Sequence, residues 1–231
     1  MPCSVINQYQ PNLKNKKMGI SKEQNQYEEG SSSFLHGGAN SQFTNQVSDG
    51  NSGASMDISC WTPDYNNTVS PIPDDYFFLG NYAVPGGDNP PAGYQMLYKA
   101  VNDDPNNPCF APPASFGYIW SKSHCELQIY SIIAPFGYCS VGCIVTGDNN
   151  SPTANNVPFL DKLMCVRQDL CNQVSLNVNN VVWNDQGSGA NANASVYLLP
   201  TSRTAWAVSN YNATQQTADI DPTAFKKLLI K

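Results

Sequence analysis

From Phe43 onward the chain alternates short apolar bursts with clusters of Gly, Pro, Asn and Asp. Glu126-Leu127-Gln128-Ile129-Tyr130 and Ala194-Ser195-Val196-Tyr197-Leu198-Leu199 show the period-two alternation of half-buried strands. One stretch reads differently. Asp221 can cap a helix, Pro222 suits its first position, and Ala224–Ile230 follows, so a short C-terminal helix is predicted. Residues 1–42 hold no sustained period. They carry Lys14, Lys16 and Lys17, then Glu28 and Glu29, Ser31–Ser33 and Gly37-Gly38. This composition predicts a flexible or peripheral N-terminal arm over 1–42 and one folded domain over 43–231.

The strand pattern repeats. Val47-Ser48-Asp49-Gly50-Asn51-Ser52-Gly53 lines up with Trp120-Ser121-Lys122-Ser123 and with Trp183-Asn184-Asp185-Gln186-Gly187-Ser188-Gly189. Each is a strand end, a polar loop and then an alternating strand leading to a proline-associated turn. After the turn come Phe78-Leu79-Gly80-Asn81-Tyr82, Cys139-Ser140-Val141-Gly142-Cys143 and Arg203-Thr204-Ala205-Trp206. The units span roughly 60–70 residues with about four strands each. One such sheet cannot bury its own apolar face, and three meeting around an axis can. The predicted architecture is therefore all-β: a threefold pseudo-symmetric β-prism-like domain of about three four-stranded sheets. Units of this length are too long for a β-trefoil, and a two-sheet sandwich is the alternative.

Composition narrows the function classes. The polar positions are mostly uncharged: 27 Asn and 13 Gln stand against 18 acidic and 12 basic residues. The net charge of −6 argues against a broad phosphate-binding face, so no nucleic-acid partner is expected. No apolar run approaches the ~18 residues of a membrane span, so only peripheral membrane contact is expected. The opening MPCSVINQYQPNLKNKKMG lacks an apolar signal core. The expected location is the cytoplasm, with unconventional secretion the alternative. The eight Cys then read as small buried thiols, disulfides in an exported chain being the other reading.

No constellation for catalysis stands out. Asp74-Asp75 and Asp103-Asp104 read as turn residues, and His124-Cys125 are neighbours that rarely face each other. With two His and no metal-ligand spacing, neither a metal nor a cofactor is expected, and the chain reads as a non-enzyme. The repeated loops carry the candidate chemistry. Asp49, Gly50 and Asn51 in the first unit, with Asn184, Asp185, Gly187 and Ser188 in the third, offer short polar side chains and free amides for sugar hydroxyls. The same residues also serve tight hairpins. Unit two, with Ser121, Lys122, Ser123 and His124, lacks the glycine pair. Trp61, Trp120 and Trp183 recur at unit junctions and read as structural.

Several motifs together carry a resemblance. They are Trp61-Thr62-Pro63 with Pro73–Val84, Phe116-Gly117-Tyr118-Ile119-Trp120-Ser121, and Pro135-Phe136-Gly137-Tyr138 with Val141-Gly142. Leu160-Asp161-Lys162-Leu163-Met164-Cys165-Val166-Arg167-Gln168-Asp169-Leu170 and Trp183–Ala190 complete the set. In this order, over about residues 43–210, the chain resembles the Vps62-related family of fungal and plant proteins. The resemblance implies an all-β threefold domain and no defined reaction, and the family name implies a link to vacuolar sorting. The leading expectation is a lectin-like module that binds a glycan or glycoconjugate. The alternatives are a sorting adaptor with a protein or membrane partner and a membrane-active defence or toxin-like protein.

Overall fold

Among the described residues sixteen strands, all paired antiparallel, are laid out in one pairing diagram that recurs along the chain. The computed structural model describes residues 33–86, 93–148, 150–211 and 215–224. The first unit holds β1 (Phe34–Asn40), β2 (Phe43–Ser48), β3 (Ile58–Pro63), β4 (Tyr82–Pro85) and β5 (Gln95–Val101). The second holds β6 (Phe110–Ala111), β7 (Ser115–Ser121), β8 (Gln128–Ile133), β9 (Tyr138–Cys139), β10 (Cys143–Thr146) and β11 (Cys165–Arg167). The third holds β12 (Cys171–Leu176), β13 (Val181–Asn184), β14 (Ser195–Leu198), β15 (Ala205–Val208) and β16 (Gln215–Ile220). Among the described residues the only helical pieces are 3-10 turns at Leu160–Lys162, Gln168–Leu170 and Val178–Asn180. The predicted all-β class therefore holds. The helix expected over Ala224–Ile230 falls, beyond Ala224, outside the described residues.

Each unit builds one small three-stranded sheet: β2-β3-β4, β7-β8-β10 and β13-β14-β15. All three sheets carry a register shift on their first strand, just before Val47, Trp120 and Trp183. An extra residue there turns these side chains into the interior. The expected fourth strand does not join this sheet. It pairs instead with the strand that opens its unit: β5 with β1, β11 with β6, and β16 with β12. Four-stranded sheets are thus corrected to sheets of two or three strands.

β1 lies within the stretch read as an arm. It pairs with β5 over seven positions, and Leu35 is fully buried. No alternation announces this strand, because Gly37 and Gly38 make room for neighbours. A Cβ on Gly37 would stand 3.0 Å from Met96 Cε, and one on Gly38 would stand 3.2 Å from the Tyr76 ring.

One core cluster draws corresponding residues from each unit: Val47, Trp120 and Trp183; Ile58, Leu127 and Ala194; Cys60, Ile129 and Val196. Elsewhere the units are close-packed through backbone contacts. Asn81 N–H donates to Cys143 O (2.9 Å), Ala205 N–H to Asn81 O (2.8 Å), and Thr204 Oγ1 to Val141 O (2.6 Å). A Cβ on Gly80 would lie 2.9 Å from Cys143 O, and one on Gly142 would lie 2.7 Å from Leu79 O. The glycines of the Leu79-Gly80 and Val141-Gly142 motifs are therefore required by close approach.

Candidate functional site

The three loops that follow β2, β7 and β13 share one backbone course. Ser52 N–H donates to Asp49 O, Cys125 N–H to Lys122 O, and Ser188 N–H to Asp185 O. The residue before each donor has a positive φ: Asn51 at 64°, His124 at 67° and Gly187 at 90°. Asn and Gly are the residue types that tolerate this region. The loops also meet. Ser55 N–H donates to Gln186 O at 2.8 Å, and Lys122 Nζ donates to both Ser52 O and Ser188 O at 2.5 Å.

Inside the loops the two aspartates are buried, at 4% exposure for Asp49 and 1% for Asp185. Asp49 Oδ1 accepts from Ile58 N–H, while Oδ2 accepts from Ser52 Oγ and from Trp183 Nε1. Asp185 repeats the set: Oδ1 accepts from Ala194 N–H, and Oδ2 from Ser188 Oγ and Trp120 Nε1. Each carboxylate thus fixes its own hairpin and anchors the indole of the unit before it in cyclic order. The two indoles meet edge to face, centroids 5.1 Å apart. The cycle has a third place that differs at both ends. Val47 stands where an indole would donate, and Lys122 stands where a carboxylate would accept. Tyr211 also hydrogen-bonds to Asp185, and burial with this carboxylate pushes its phenol up to about 12.

This placement sorts the predicted site residues. Asp49, Asp185 and Ser188 turn inward, and the two carboxylates are engaged by their own loops and by the indoles of Trp183 and Trp120. Asn184 is half-buried, and its Oδ1 accepts from Gln186 N–H. Gly50, Asn51 and Gly187 are exposed, as are Gln186, Ser123 and His124 beside them. Two contributors were not singled out from sequence: Lys122 as a clamp between loops, and Tyr211 on Asp185. The three loops share one spacing. Trp183-x-Asp185-x-x-Ser188 matches Val47-x-Asp49-x-x-Ser52, and Trp120-x-Lys122-x-x-Cys125 is the same frame with each polar partner replaced. Among the described residues no group of three or more His, Cys, Asp or Glu could hold a metal ion. Among them, too, no helix is long and apolar enough to cross a membrane.

Comparison with known proteins fits this frame. The family model described as vacuolar protein sorting-associated protein 62 (Vps62) matches residues 45–221. The chain belongs to the Vps62 family. The matched region spans all three loops and both Trp–Asp pairs. A search among curated proteins finds no match. Among solved structures, this Vps62-family chain is similar to GNIP1Aa from Chromobacterium piscinae, with a TM-score of 0.67 and 22% identity. The likeness covers 84% of this chain and 38% of that one, so the chain corresponds to well under half of the GNIP1Aa length. At this identity the likeness concerns the fold alone.

Proposed function

We propose that this Vps62-family chain is a non-enzymatic binding module in which three units stand about a pseudo-threefold axis as a β-prism, and that the loop end of the prism recognises carbohydrate. The observation that carries the reading is the stitched loop pair. Ser55 N–H on Gln186 O and the Lys122 clamp hold the first and third loops together, with Gly50, Asn51, Gln186 and Gly187 facing out. Buried Asp–Trp and Asp–amide bonds fix both backbones before any ligand arrives, which lowers the ordering cost of binding. The ligand chemistry is then amide and backbone hydrogen bonding to sugar hydroxyls. The inward carboxylates Asp49, Asp185 and Ser188's hydroxyl support it from behind. Glycan-array binding by the purified chain tests this. Selective binding of one sugar class is expected, and a blank array overturns the reading.

A second reading rests on one residue. Phe136, in the turn closed by Tyr138 N–H on Pro135 O, has a fully exposed side chain. This favours a protein or peripheral membrane partner, the adaptor function that the family name suggests. Flotation with anionic liposomes, comparing the chain with its Phe136→Asp variant, tests it: loss of flotation in the variant supports the reading, and no flotation of either chain opposes it.

A further inference from the structure

We propose that Cys139 and Cys171 form a redox-labile disulfide that ties the second unit to the third. Three observations converge on this pair. Cys139, in β9, lies directly opposite Val166 of β11. Residues directly opposite on antiparallel strands share a face, and Val166 packs in the same core cluster as Cys171. The chain between them is short: the 3-10 turn Gln168–Leu170 leads from β11 into Cys171, and Gln168 N–H is held by Gly137 O at 3.0 Å. A side-chain hydrogen bond joins Cys171 to Cys139 across this turn.

Selectivity follows from the faces of the strands. Cys165 is the neighbour of Val166 on β11 and packs in the other cluster, with Leu163 and Ile144. Its side chain therefore leaves the sheet on the side away from Cys139's partner. Among the described residues, Cys60, Cys109, Cys125, Cys143 and Cys165 are buried, whereas Cys139 and Cys171 are partly exposed. Of these seven, a small-molecule oxidant reaches this pair first.

The step balances with a low-molecular-weight disulfide such as oxidised glutathione. The Cys139 thiolate attacks one glutathione sulfur and releases the other as a thiol, forming a mixed disulfide. The Cys171 thiolate then attacks Cys139 Sγ and expels the second glutathione. Two protein thiols lose two electrons and two protons, and one oxidised glutathione becomes two reduced molecules. The hydrogen bond with Cys139 and burial push the Cys171 thiol up. The product closes the segment 139–171 and fastens β12, with its partner β16, to the second unit.

The test treats the purified full chain with oxidised glutathione, blocks remaining thiols with iodoacetamide, and maps peptides by mass spectrometry. A linked peptide pair containing Cys139 and Cys171, lighter by two hydrogens, is expected. Cys109, Cys143 and Cys165 should be recovered unlinked after denaturing alkylation. The melting midpoint of the oxidised chain should rise by several degrees and return with dithiothreitol, because the cross-link restrains the unfolded chain. In Cys171→Ser the midpoint should not respond to oxidation. Recovery of both cysteines alkylated or glutathionylated, or of Cys139 linked to Cys165, overturns the assignment. The wild-type peptide map gives this answer alone should the variant fold poorly.

Discussion

Trp183 Nε1 donates a 2.9 Å hydrogen bond to Asp49 Oδ2, joining residues 134 positions apart. The same bond runs from Trp120 Nε1 to Asp185 Oδ2, also at 2.9 Å. A buried carboxylate that takes a backbone amide, a serine and an indole is a structural hub. Replacing Asp49 by Ala leaves Ile58 N–H, Ser52 Oγ and the buried Trp183 N–H without their acceptor. Each stranded group costs about 1–3 kcal/mol, so Asp49→Ala is expected to lose about 3 kcal/mol or more. Trp183→Phe removes one of these bonds. Urea unfolding of both single variants and the double variant should give a favourable coupling of about 1 kcal/mol or more. Additive losses would contradict the hub.

How much of this was legible beforehand differs by level. The strands of the three small sheets could be read because alternation is strong at Ile58–Trp61, Leu127–Tyr130 and Ala194–Leu198. The pairing of β1 with β5 could not, since Gly37 and Gly38 erase alternation where Met96 and Tyr76 press on the backbone. The loops were visible as Gly, Asp and Ser clusters, and the direction of their carboxylates was not. Direction depends on the register shift before Trp120 and Trp183, which is a property of paired strands. Unit two lacks the glycine pair of the other loops. Its Lys122 in fact closes the junction of the other two loops, a role that appears only once the three loops are side by side.

That role predicts a measurable loss. Lys122→Met keeps the aliphatic stem and removes the ammonium that donates to Ser52 O and Ser188 O. Hydrogen bonds from a charged donor contribute about 1.5–3 kcal/mol, and partial exposure of this lysine lowers the expected loss to about 2 kcal/mol. Amide hydrogen exchange at Ser55 should accelerate in the variant, since its bond to Gln186 O depends on the clamped geometry. Unchanged exchange would place the clamp's contribution elsewhere.

The glycines offer a contrast between crowding and backbone conformation. Gly142→Ala forces a Cβ to 2.7 Å from Leu79 O and 3.0 Å from Gly80 Cα, where only backbone movement can relieve it. A loss of about 3 kcal/mol or more, or failure to fold, is expected. Gly137→Ala meets nothing within 4 Å and suffers only its φ of 85°, so about 1 kcal/mol is expected. Thermal melts of the two variants should separate them clearly.

Alkaline pH should weaken the fold. Burial holds the thiols of Cys60, Cys109, Cys143 and Cys165 above their ordinary range, Cys109, Cys143 and Cys165 up to about 12. In the unfolded chain thiols ionise near ~8.5. Between these values the native state binds more protons than the unfolded state, so stability falls as pH rises. The contribution is complete below ~8.5 and is lost toward about 12. Urea midpoints under reducing conditions should be equal at pH 6 and 7.5 and lower at pH 10. A flat profile would mean that these thiols are less enclosed than their packing indicates.

The most direct test of the central claim is a glycan array run in parallel on the wild-type chain, an Asn51→Gly, Gln186→Ala double variant, and Phe136→Ala. Asn51→Gly keeps the positive φ and removes the side chain, and Gln186 is exposed, so the double variant should melt within a degree or two of wild type. The account predicts selective sugar binding by wild type and Phe136→Ala, lost in the double variant. Equal binding by all three chains, or none by the wild type, would contradict it.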